Sequence, residues 1–186
     1  MITITLTADS MLRLWKTAKG FEPLRTDCII SRSDGPDLDR ILTLQMRSWY
    51  VGQLMNGQLR DLPLTDIGPT LSFDEKTAGC VSALLPERCL RVASADCDRW
   101  ERPAIIINDR ECADAVAQTN PFARAGEARP VAIVDSGRLT LYPATGGTTP
   151  RIMAVMLPDS DDIYRLTPSM LASIGASVSN LFPSDP

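Results

Sequence analysis

Apolar and polar positions first alternate at the start of the chain. Ile2, Ile4 and Leu6 fall on one face of residues 1–7 and Thr3, Thr5 and Thr7 on the other, the pattern of a short half-buried strand. Asp9 or Ser10 can then cap a helix over 11–19, stopped by Gly20, with Leu12 and Trp15 on its inner face. Residues 21–30 end in an apolar patch that suits a strand, and 31–36 (Ser-Arg-Ser-Asp-Gly-Pro) is a turn by composition. A longer helix is expected from Asp37 to Met55, ended by Asn56-Gly57. Leu38, Ile41, Leu42, Gln45, Met46 and Trp49 follow helical spacing, and Leu44, Val51 and Met55 widen the stripe, which predicts a central, well-covered helix. Residues 59–69 read as a proline-marked connection.

From Leu71 to Pro158 the segments are short, β-rich and bounded by Pro, Gly or Asp. Strands are expected over 80–85, 89–95, 103–107, 131–134, 139–142 and 151–157. Asp135-Ser136-Gly137 is a hairpin signal between two of them. One short Ala-rich helix is expected over 110–119. A last strand, 163–166, leads into Thr167-Pro168, an N-cap followed by proline at the first helical position. The final helix then runs to Phe182 with Leu171, Ile174, Val178, Leu181 and Phe182 as its apolar stripe. Helices at both ends around a β-rich middle make the fold class α+β, with the terminal helices packed together and the middle a small antiparallel sheet or sandwich. Residues 1–69 and 159–186 form the helical layer and 70–158 the β-rich insertion, either as two domains or as parts of one compact domain.

Composition narrows the function. The 186 residues carry 19 basic and 23 acidic side chains, a net charge of −4, which disfavours direct nucleic-acid binding. There is no histidine, which removes Ser-His-Asp and Cys-His catalysis, histidine-ligated metals and imidazole switching. The start, MITITLTADS, has neither a basic leader nor an apolar run, and no stretch approaches the roughly 20 apolar residues of a membrane helix. A cytoplasmic protein with no membrane partner is the expectation. Cys28, Cys80, Cys89, Cys97 and Cys112 are odd in number and contain no CxxC pair, so reduced, mostly core thiols are expected. Cys112 near Arg110 lacks a base to activate it.

Two acidic clusters, Asp96/Asp98/Glu101 and Asp159/Asp161/Asp162, lack calcium-loop spacing and read as solvated turns. Gly146-Gly147-Thr148-Thr149 has no following Gly-Lys and leads into a strand, so it is not a phosphate loop. No catalytic, cofactor-binding or metal-ligating residue is assigned, no cofactor is expected, and the chain reads as a non-enzyme. Trp49, Tyr50 and Trp100 read as core or core-edge.

The last helix carries the sharpest signal. Residues 167–184 contain no charged side chain, and the face away from the apolar stripe bears Ser169, Ala172, Ser173, Ala176, Ser177, Ser179 and Asn180. A solvent-facing helix normally carries Lys and Glu there. Ser169, Ser173, Ala176, Ser177 and Asn180 are therefore candidate interface residues, covered either by another subunit or by the rest of this chain.

A helix with Trp49-Tyr50, a link at Leu62-Pro63, a β-rich region with Leu85-Pro86, and Asp162-Ile163-Tyr164-Arg165-Leu166-Thr167-Pro168 feeding an apolar helix follow one another along the chain. This order resembles the layout of tailed-phage head–tail adaptor (connector) proteins. The resemblance covers most of the chain in the order of elements and little in identity, and it assigns no functional residue. It implies a prophage-borne, non-catalytic ring subunit whose partners are further copies or other virion subunits. A long basic or flexible arm, present in some such proteins, is not evident. The alternatives are a small α+β ligand-binding or regulatory module with a pocket near Trp100 or Tyr142, and an enzyme whose base would be Asp, Glu, Lys or Tyr.

Overall fold

The computed structural model describes residues 2–20, 37–77, 79–145, 147, 149–158 and 160–179, with the backbone alone at 76–77 and 175–179. The chain is mixed α+β and divides into two compact units, Met1–Pro63 with Pro158–Pro186, and Leu64–Leu157. The strand and turn expected over 21–36 lie outside the described residues, as do Cys28, Gly146, Thr148, Asp159, Leu181 and Phe182.

In the first unit, β1 (Ile4–Thr7) pairs antiparallel with β10 (Ile163–Leu166), Ile4 opposite Leu166 and Thr7 opposite Ile163. A two-stranded ribbon has little face to bury, and Ile2, Ile4 and Ile163 remain exposed. Helix α1 (Ala8–Ala18) follows without a loop. Its cap is Thr7, not Asp9 or Ser10: the Thr7 hydroxyl accepts from the Ser10 amide at 3.3 Å, satisfying one free N–H of the first turn. Gly20 ends it at φ +74°. Met11 and Trp15 are its buried residues, so the inner face sits one position earlier than Leu12 suggested.

Helix α2 (Leu38–Asn56) is capped by the Asp37 carboxylate, which accepts from the Arg40 amide at 3.2 Å. It buries Leu42, Met46, Tyr50 and Leu54, four residues spaced by four along one side. After Gly57 a 3₁₀ turn, Leu59–Asp61, leads to buried Leu62. Helix α4 (Pro168–Ser179) is capped by Thr167, whose hydroxyl accepts from the Met170 amide at 3.3 Å and donates to the Asp61 carbonyl. Met170 and Ile174 are fully covered and Leu171 half-covered.

The second unit is two sheets over a shared core. Strands β2 (Leu64–Asp66), β9 (Arg151–Met156) and β5 (Cys89–Asp96) form one, in the order β2-β9-β5, all antiparallel. The other has the order β3-β4-β8-β7-β6, from β3 (Asp74–Thr77), β4 (Cys80–Leu84), β8 (Arg138–Tyr142), β7 (Val131–Asp135) and β6 (Ile105–Ile107), with only β6–β7 parallel. Val81, Leu139, Leu141 and Ala132 of the larger sheet pack with Val92, Ala95, Ile152 and Ala154 of the smaller, a register shift between Val92 and Ser94 bringing both Val92 and Ala95 inward. Ser136 (φ 49°) and Gly137 (φ 73°) make the tight left-handed turn that joins β7 to β8.

Two expectations here are corrected. The connection 59–69 is structured, holding the 3₁₀ turns and β2. The helix expected over 110–119 shrinks to α3 (Ala113–Ala117), packed with Ile107, Val131 and Ile133.

Candidate interaction surface

The uncharged face of α4 is built on Thr167. With its hydroxyl turned to Asp61, the next turn sets Ser169 against the same residue, and the Ser169 hydroxyl donates to the Asp61 carboxylate at 3.1 Å. Ser169 is exposed; Ser173 is half-buried and donates to the Met170 carbonyl at 2.8 Å. Ala176 and Ser177 lie within α4, but their side chains are outside the description, and Asn180 lies outside the described residues.

Ser169 and Ser173 form one wall of a groove of about 360 Å³. The other wall is the end of α2, through Gly52, Gln53 and Asn56, and Asp61 closes one side. Apart from Asp61 the lining is amide, hydroxyl, glycine or apolar, so it attracts no particular ion and suits a polar backbone or small side chains. The sequence exposed the α4 half of this groove through its missing charges. The α2 half was hidden, because nothing local ties Gln53 or Asn56 to a helix that begins more than a hundred residues later.

The second component of the surface corrects the expectation of a central, well-covered α2. Ile41, Leu44 and Met55 are 41%, 59% and 53% exposed, Leu38 is exposed, and Val51 is half-buried. At 100° per residue, Ile41, Leu44, Val51 and Met55 lie roughly opposite Leu42, Met46, Tyr50 and Leu54. The stripe is not wide; there are two stripes, and this unit covers one of them. Gly52 adjoins the outward stripe and the groove, which makes them one continuous surface.

Other candidates carry less. Trp15 and Trp49 meet with ring centroids 5.4 Å apart, and the Lys19 ammonium lies 4.9 Å from the centre of Trp15. The Nε1 of both indoles and Nε of Arg47 are buried without a hydrogen-bond partner. Arg47 reaches Asp161 at 3.5 Å. Cys80 and Cys97 are buried, Cys89 and Cys112 half-buried; burial pushes the Cys89 thiol up, away from the reactive thiolate. Asp96 accepts from the Cys97 amide at 2.9 Å, a local turn contact. Among the described residues no three Cys, Asp or Glu side chains gather as a metal site would require, and no helix is long and apolar enough to cross a membrane.

In the second unit, a cleft of about 190 Å³ lies beside Tyr142, lined also by Arg110, Gln118, Asp135, Arg138 and Thr140. Arg110 pairs with Asp135 at 3.1 Å, and Arg138 donates to Ser82 at 3.2 Å. Burial raises the Tyr142 phenol, helped by Cys80 and opposed by Arg124 and Arg110. Trp100, the other residue singled out for a pocket, instead donates its indole N–H to the Pro143 carbonyl at 2.8 Å and belongs to the core.

No protein-family model matches the chain, and no curated protein matches it.

Proposed function

We propose that this chain is a non-catalytic structural subunit that assembles with further copies of itself or with other virion subunits, in the manner of a tailed-phage head–tail adaptor ring protein. One observation carries the reading: α2 spends its inward face on its own unit and leaves Ile41, Leu44 and Met55 exposed along the opposite side. An apolar stripe held in water is a cost that contact with another surface removes, at about 25 cal/mol per Å² covered. The uncharged groove beside it, with Ser169 and Ser173, extends the same surface. The order of elements supports the adaptor form, with helices of the two chain ends as one layer and synthesis in the cytoplasm before assembly.

Light scattering over a concentration series tests it. An oligomer whose mass rises with concentration is expected. A monomer at the highest concentration reached removes assembly with further copies and leaves only assembly on other virion subunits.

A second reading, a small ligand-binding or regulatory module, is favoured by the cleft beside Tyr142. Its 190 Å³ falls below the roughly 300 Å³ at which pockets for drug-sized ligands begin. A thermal-shift screen with metabolites discriminates: a compound that raises the unfolding temperature of the wild type, and not of Tyr142→Phe, would favour the module.

A further inference from the structure

We infer that the cleft beside Tyr142 binds a small oxyanion, a carboxylate or phosphate group carried on a short apolar stem, and that Arg138 and Arg110 hold it. The inference does not depend on the assembly reading. It rests on the second reading, the ligand-binding module, and adds to it the class of ligand.

The register of one hairpin builds the site. Along β8, Leu139 and Leu141 are fully buried in the core between the sheets, so Arg138, Thr140 and Tyr142 stand together on the other face. On β7, Ile133 and Asp135 join them, Ile133 opposite Thr140 and Asp135 opposite Arg138. Helix α3 covers part of this face, with Ala115 packed among Val131 and Ile133. Residues of α3 and of both strands line the cleft.

The pairing of charges carries the argument. Asp135 sits directly across from Arg138, where opposite charges on neighbouring strands would normally meet. Its carboxylate is engaged elsewhere, by Arg110 at 3.1 Å. Arg138 turns away from β7 and donates to the hydroxyl of Ser82 on β4, at 3.2 Å. Ser82 is buried and uncharged. Arg138 is half-buried, so a positive charge is held partly out of water, and among the described residues no carboxylate pairs with it. A guanidinium has five N–H donors in a fixed fork, and the one hydroxyl leaves most of them open to a ligand.

The rest of the lining agrees. Arg110 and Arg138 against Asp135 leave the cleft with an excess of positive charge, in a chain whose net charge is −4. Burial raises the Tyr142 phenol, and Arg124 and Arg110 stand close enough to pull it back, so a third guanidinium lies near this end of the cleft. Arginine, phenol and threonine hydroxyl all donate hydrogen bonds, and an oxyanion accepts them without needing to donate. Ala115, Val116 and Ile133 supply an apolar wall for a carbon stem. The volume of about 190 Å³ equals roughly six waters at about 30 Å³ each, which suits an acid of about that many heavy atoms and is too small for a nucleotide.

The test uses the full chain and three probes: butyrate, propyl phosphate, and butyramide as the uncharged counterpart of butyrate. Each is titrated at constant ionic strength and followed through backbone amide NMR shifts. Saturable binding of butyrate or propyl phosphate is expected, with the shifts concentrated over residues 110–119 and 133–142; the tighter of the two acids identifies the headgroup. Arg138→Gln and Arg110→Gln should each weaken that acid about tenfold or more. Arg110→Gln acts twice, since it also leaves the Asp135 carboxylate unneutralised in the cleft. Arg99→Gln, which removes an exposed arginine of the same unit outside the cleft, should leave binding unchanged. Thermal unfolding without ligand checks each fold, and because Arg110 is exposed its variant decides the matter if Arg138→Gln does not fold. Butyramide binding as tightly as butyrate overturns the inference, as does an equal loss in Arg99→Gln or binding that a folded cleft variant leaves unchanged. If neither acid binds while some metabolite stabilises the wild type and not Tyr142→Phe, the oxyanion class is wrong and the module reading stands. If neither acid nor any such metabolite binds, both fall together.

Discussion

The hydroxyl of Tyr50 donates to the carbonyl of Arg165 and accepts from the amide of the same residue, each at 3.2 Å. One side chain of α2 thus serves both backbone groups at a single position of β10, as a neighbouring strand would. The ring rests edge-on against Tyr164, with centroids 5.0 Å apart. Tyr50→Phe keeps the ring and removes both hydrogen bonds, leaving a covered amide and carbonyl unsatisfied. A loss of about 1–3 kcal/mol is expected in denaturant unfolding, and Tyr50→Leu should cost more because the ring contact goes as well.

Alkaline pH should weaken the fold. Burial raises the acid groups of Tyr50 and Tyr142 above an ordinary 10.0 and that of Cys89 above 9.0. Unfolding exposes them to water, where they release protons at those ordinary values, while the folded chain still holds its protons. Their contribution is therefore complete below about pH 9 and is lost as pH climbs through the unfolded values toward the raised ones. Urea midpoints measured between about pH 8 and 11 should fall along that range, and less steeply in Tyr50→Phe.

Gly52→Ala should stabilise the fold. A Cβ at this helical position meets no atom within 4 Å, so alanine should add about 0.5–1 kcal/mol. Urea unfolding at low concentration reads the effect.

Gly68→Ala should be far more costly. A Cβ at Gly68 would lie 2.0 Å from the carbonyl oxygen of Pro150 and 3.1 Å from the amide nitrogen of Ile152, both backbone atoms that cannot swing aside. The Asp66 carboxylate ties this corner, accepting from the amides of Gly68 at 3.0 Å and Ile152 at 3.2 Å. Forcing the chain apart there should cost at least the roughly 1–3 kcal/mol typical of overpacking. Loss of the thermal transition belonging to residues 64–157, or a marked drop in its midpoint, is the expected readout.

What was legible in the sequence were the elements with local punctuation. Asp37 and Asn56-Gly57 bracket α2, Ser136-Gly137 turns β7 into β8, and Thr167-Pro168 starts α4. Elements defined by distant partners were not. Strand β3, Asp-Glu-Lys-Thr, has no apolar alternation and exists because β4 lies beside it; its charges suit an edge. Strand β2 is three residues held by β9, far along the chain. The outward stripe of α2 was visible as apolar residues, but periodicity does not say which of two stripes a chain covers itself. Likewise the missing charges of α4 marked Ser169 and Ser173, while the residues facing them across the groove could be found only in three dimensions.

The 115 positions separating Tyr50 from Arg165 also fix an order of events at the ribosome. Helix α2 emerges early, yet the strand that accepts its tyrosine is translated only after the whole of residues 64–157. That middle unit can close on itself while the first waits for its second half. Until then α2 has only α1, through contacts such as Trp15 on Trp49, to shelter part of its inward stripe, and Tyr50 waits without its strand.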